Sequence, residues 1–169
     1  MAESIYEYDV ILPLTQMPNY LSKRLTPQRD ETKLTRAPER GEWSAREIIA
    51  HLRDAEAYYF AKLYHLAQRE WPDLRSAEQV GQLEYDERDL TLTVMSQFRR
   101  LRQSTLSLLR ELPDDAWRKA GRDTDGTTVT ILELAREMVR HDAEHLAQLD
   151  ATLIARGALP HTVRPLVRA

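Results

Sequence analysis

The chain contains no cysteine. That absence removes disulfides, zinc ribbons, thiolate nucleophiles and iron–sulfur clusters at once. Any metal must then be held by imidazole, carboxylate or water, and thiol chemistry would need a thiol brought in from outside. Glycine is also scarce, at 5 of 169 residues, in a chain rich in Leu, Ala, Arg and Glu, and this balance favours helices. No apolar run approaches the roughly 20 residues that span a bilayer, so no membrane partner is expected. Positive charge is not in excess either. The formal net charge of −3 argues against a nucleic-acid partner. The opening "MAESIYEYDV" is acidic and lacks an apolar core, so it does not read as a signal peptide, and a cytoplasmic location is expected.

What is present is helical periodicity in four segments, which predicts an all-α domain. The first runs from about Leu14 to Leu25, with Pro18 tolerable only near its amino-terminal turn. The second opens at "WSAREIIAHLRDAEAYYFAKLYHLAQ", where Ser44 and Glu47 form a capping box and Ile48, Leu52, Ala55 and Tyr59 recur at helical spacing. A third stripe, Val94, Phe98, Leu101, Leu108 and Leu112, ends at Pro113. The fourth helix is expected from Thr130, capped by Glu133, to about Arg156, with Gly157 at a left-handed position beyond it. Residues 26–43, 70–89 and 113–130 are long for bundle loops, so a crossover and pocket walls are expected among them. The tail "GALPHTVRPLVRA" reads as irregular.

Chemistry concentrates in the histidines, which number five. His141 and His145 lie four apart in "RHDAEHLAQLD", close enough on one helix face to share a divalent ion. Leu134, Met138, Leu149 and Thr152 fall on the same side, which turns the pair inward. Buried imidazoles need partners for both ring nitrogens, and either a metal ion or carboxylates would serve. His51, beside the stripe of the second helix, is the third candidate. His65 lies about 20 Å further along that helix, too far for the same ion, and reads as a packing residue. His161 sits in the tail and takes no metal role. No histidine follows a Glu by three residues, which excludes the di-iron carboxylate pattern, and H-E-x-x-H, Gly-rich phosphate loops and G-x-S-x-G are all missing. Three histidines with a fourth position open is the pattern of a catalytic zinc site, although imidazoles also suit nickel, copper and iron.

These residues carry a family resemblance. "EWSAREIIAHLRDAE", the "FRRLR" segment, "DGTTVTILELA" after Trp117 and "HDAEHLAQLD" resemble the DinB/YfiT-like superfamily of metalloenzymes over about residues 15–155. The resemblance implies one four-helix domain across 1–169, in up-down-down-up order, with residues 70–89 as the crossover between the second and third helices. It implies that His51, His141 and His145 bind a divalent metal, commonly zinc or nickel, and that the chain forms a homodimer. Activities of similar proteins imply a small-molecule substrate, with either transfer of a low-molecular-weight thiol cosubstrate or hydrolysis. Two alternatives stay open in the sequence: a non-enzymatic metal-binding or stress-associated bundle, and histidines that are hydrogen-bonded core groups. Around the triad, Asp54, Asp142 and Glu144 read either as orienting groups or bases, or as solvated partners of Arg46, Arg53 or Arg140. Arg100 and Arg102 read as surface charge, with recognition of an anionic substrate as the alternative. Trp43 and Trp117 read as packing at the bundle ends or as pocket lining.

Overall fold

The computed structural model describes residues 4–75 and 88–158. Its helices are α1 (Leu12–Leu25), the short α2 (Thr32–Thr35), α3 (Ala45–Gln68), α4 (Thr91–Glu111) and α5 (Ile131–Ala155). Both expected capping boxes form. Ser44 Oγ accepts from the Glu47 N–H at 3.1 Å while Glu47 accepts from the Ser44 N–H, and Thr130 with Glu133 repeats the exchange at α5. Gly157 takes its left-handed backbone, φ +70°, just past the end of α5. The middle of the expected crossover, residues 76–87, and the tail with His161 lie outside the described residues.

Pro18 departs from expectation. A π-helical turn at Glu7–Ile11 leads directly into α1, so the helix begins earlier than the periodicity suggested and Pro18 lies inside it, buried. Proline cannot donate to the carbonyl four residues back, which leaves the Leu14 oxygen without its helical partner. Arg102 Nη1 supplies the missing donor at 2.9 Å.

The 113–130 segment is also more regular than its composition suggested. It holds a 3-10 turn (Asp114–Arg118) and a two-stranded antiparallel hairpin, β1 (Ala120–Arg122) with β2 (Thr128–Thr130), in which Gly121 pairs with Val129. Three-residue strands are too short to display a period of two, so no alternation could be read in advance. Gly121 is needed there for space: a Cβ would lie 2.6 Å from the Pro72 oxygen. Lys62 Nζ ties the hairpin to α3 through Asp123 Oδ1 at 2.8 Å.

Buried side chains form two clusters. One gathers Val10, Ile11 and Leu14 with Leu63 and Leu66 of α3, Leu106 and Leu109 of α4, and Leu134 and Met138 of α5, around Trp117. The other gathers Met17, Leu21 and Leu25 with Ile48, Ile49 and Leu52 of α3, Val94 and Phe98 of α4, and Leu146, Leu149 and Leu153 of α5. Along α3, α4 and α5, the residues between the two clusters include Glu56, Arg102 and Asp142. All three are buried, and the Arg102 guanidinium pairs with both carboxylates at 2.8–2.9 Å. The buried face of α4 therefore runs Val94, Phe98, Arg102, Thr105, Leu109, whereas Leu101, Leu108 and Leu112 are only half-buried. Arg102 is no surface charge; the expectation is corrected.

Candidate metal centre

α3 and α5 pack side by side, and the helical face that carries Ile48 and Leu52 brings His51 toward α5. From α5, His141 and His145 project on the side shared with the buried Leu134, Met138, Leu149 and Thr152. All three histidines are half-buried. One nitrogen from each can be chosen so that all three lie within 4.8 Å of one another. His51 Nε2 and His141 Nε2 face each other at 3.0 Å, and the three rings sit 4.4–5.1 Å apart between centroids.

The protonation chemistry of the cluster suits a cation. His145 Nδ1 donates to Gln148 Oε1 at 2.8 Å, which fixes its tautomer and leaves Nε2 as the lone-pair nitrogen. Burial, then the neighbouring His145, lowers the His51 pKa, with Asp54 opposing. His141 is pushed down to about 4 by burial first, then by His145, His51 and Arg102. His51 and His141 are therefore neutral ligands near pH 7. A hydrogen bond can link His51 to His141, but it uses only one lone pair of the cluster. Two nitrogens on one tetrahedral zinc lie about 3.3 Å apart, given Zn–N bonds of about 2.05 Å, and the 3.0 Å approach of His51 and His141 fits that spacing. The donor set thus fits a divalent ion.

The depressed His141 value has a consequence for stability. Its folded pKa, about 4, lies below the unfolded value of 6.5, so the unfolded chain takes up protons first as the pH falls. The stabilising contribution is complete above 6.5 and is lost progressively from there toward about 4. Chelator-treated protein should show a falling Tm across that window, and a His141→Gln variant a shallower fall.

Around the triad, Trp43 covers the outer side. Its ring lies 5.1 Å from His51 and stacks at 6.4 Å on His145, so it lines the site rather than only closing the bundle end. Trp117, by contrast, is fully buried core. Tyr59 meets His141 edge-on at 5.6 Å, and burial, then the Glu137 and Asp142 charges, keep its phenol above the ordinary range and protonated. Asp142 turns away into the Arg102 pair. Asp54 pairs with Arg53 at 3.0 Å, and Glu144 is exposed. His65 is half-buried elsewhere on α3, with Nδ1 unpartnered, and does not join the cluster. Gln148, Tyr59 and the buried Arg102 were not foreseen as parts of the site. For Gln148 the available signal was its place one turn after His145.

The sequence profile of the DinB superfamily matches residues 14–149. The chain belongs to the DinB superfamily. Among solved structures, this DinB-superfamily chain is similar to YfiT from Bacillus subtilis, described as a probable metal-dependent hydrolase with an unusual four-helix bundle topology. The two are 19% identical with a TM-score of 0.70, over 87% of this chain and 85% of that one. It is also similar to a mutant of the mycothiol-dependent maleylpyruvate isomerase, at 14% identity and a TM-score of 0.57, over 88% of this chain and 60% of that one. At these identities both likenesses bear on the fold. No curated protein matches the chain.

Proposed function

We propose that this DinB-superfamily protein is a metal-dependent hydrolase of a small substrate, with His51, His141 and His145 as the ligands of a zinc or nickel ion. The observation that carries this reading is the convergence of three imidazoles from two helices, with ligand atoms within 4.8 Å of one another. A divalent ion held there would lower the pKa of a small nucleophile, water or thiol, and make it reactive at neutral pH. The chain's own residues do the rest. Gln148 orients His145, Trp43 limits access of bulk water to the rings, and the Glu56–Arg102–Asp142 cluster holds α3, α4 and α5 in register beneath them. Similarity to a protein described as a probable metal-dependent hydrolase supports the reaction class. Transfer of a low-molecular-weight thiol is the second reading, supported by similarity to a mycothiol-dependent isomerase and by the lack of a thiol in the chain itself.

We further propose the up-down-down-up order. It is supported by pairings that advance together along α3 and α4: Arg46 with the Asp89 carbonyl, Arg53 with Gln97, and Glu56 with Arg102. An antiparallel pair would advance in opposite senses.

The activity test compares metal-loaded with chelator-treated protein on activated esters and amides, with and without added low-molecular-weight thiols. Metal-dependent turnover without thiol is the expected result, and turnover only with thiol would favour the second reading. No turnover under either condition would leave a non-enzymatic metal-binding bundle.

A further inference from the structure

Beside the triad lies an open cleft of about 720 Å³. One wall is α5, from His145 through Gln148 and Thr152 to Ala155, a run of about 15 Å at 1.5 Å per residue. The opposite wall is the loop before α3, which contributes Glu39, Glu42 and Trp43. That geometry suits an elongated molecule, with one end at His145 and the rest along the helix.

Among the described residues, the carboxylates Glu39 and Glu42 are the Asp, Glu, Lys or Arg side chains that line this cleft. Glu39 and Glu42 are exposed, and neither is ion-paired with another described residue. Among the described residues no Lys or Arg lines the cleft; Arg36 and Arg40 belong to the same loop but lie outside its lining. Trp43 is 39% exposed and adds an indole beside the two carboxylates, a surface that attracts ammonium groups through its negative ring face. A cavity, two carboxylates with no ion-pair partner among the described residues and an accessible indole thus coincide at one end of the triad.

We propose that the cleft selects an elongated substrate bearing a cationic ammonium group, held by Glu39, Glu42 and Trp43, with its reacting end at the histidine triad. The assignment rests on the metal-centre reading for the position of the reacting end, but the charge selectivity stands on the cleft alone. Negative charge on the part of the substrate that faces Glu39 and Glu42 is selected against.

Calorimetric titration of the full chain, zinc-loaded and chelator-treated, with hexyltrimethylammonium, hexanol and hexanoate tests it. In the chelator-treated chain the ammonium should bind about tenfold more tightly than hexanol, and hexanoate, which could ligate a bound zinc, more weakly than either. In a Glu39→Gln/Glu42→Gln variant the ammonium should lose about tenfold in affinity while hexanol is unchanged. Failure to bind any probe, hexanoate binding the chelator-treated chain as tightly as the ammonium does, or an ammonium affinity untouched in the variant would each overturn the assignment. Metal content is measured on the same samples. If the wild-type chain retains no metal but still prefers the ammonium, the metal reading fails and the cleft assignment stands.

Discussion

Replacing Arg102 by Met is expected to destabilise the protein by about 3–5 kcal/mol, the cost of removing one partner from a buried charge cluster. Burial opposes the guanidinium's charge, but Asp142 and Glu56 outweigh it and hold its pKa above the ordinary value. Without it, two carboxylates that are 2% and 9% exposed lose their only counter-charge at bonding distance among the described residues. The Leu14 carbonyl, already deprived of its helical donor by Pro18, loses its hydrogen bond as well. At roughly 2–4 °C per kcal/mol for a domain of this size, Tm should fall by roughly 6–20 °C. Arg102→Lys should recover little, because a single ammonium cannot make the two-pronged contacts to both carboxylates. Making all three positions apolar should recover most of the loss, since well-packed apolar groups often replace a buried ion cluster without net cost. A Tm within about 2 °C of wild type for Arg102→Met would show that the cluster carries little of the stability attributed to it.

His145→Ala is expected to abolish metal retention while leaving helicity intact. The ring is half-buried, so its removal deletes little packing, and Leu146 and Leu149 beside it keep α5 in the core. What is lost is one of three ligands, so affinity should drop more than the roughly 10–100-fold typical of losing an outer-shell partner. His51→Ala and His141→Ala should behave alike, because the donors act as one set, whereas His65→Ala should retain metal fully. Equilibrium dialysis against zinc, with circular dichroism on the same samples, separates loss of ligand from loss of fold. Equal retention by His145→Ala and wild type would remove His145 from the ligand set.

Much of this site was legible in the sequence because helices translate spacing into position. The four-residue interval of His141 and His145 and the apolar residues flanking them place both rings on the side facing α3. His51 follows from the capping box at Ser44, which sets where α3 begins and hence which face it buries. Arg102 was not legible for the opposite reason. Its charge suggested solvent, and its burial depends on Glu56 and Asp142, which lie 46 and 40 residues away in sequence. The carbonyl it caps is free only because Pro18 lies within α1, a position read instead as its amino-terminal turn. The charge on the cleft was equally hidden. Glu39 and Glu42 are unremarkable in a loop that also carries Arg36 and Arg40, until that loop is folded against α5.

The most direct test of the metal centre is elemental analysis of protein purified without chelator, before and after loading with Zn²⁺ or Ni²⁺. A three-imidazole site predicts about one metal ion per chain, surviving gel filtration and lost in His145→Ala. Less than about 0.1 metal per chain, unchanged by loading, would contradict it and leave the histidines as hydrogen-bonded core groups.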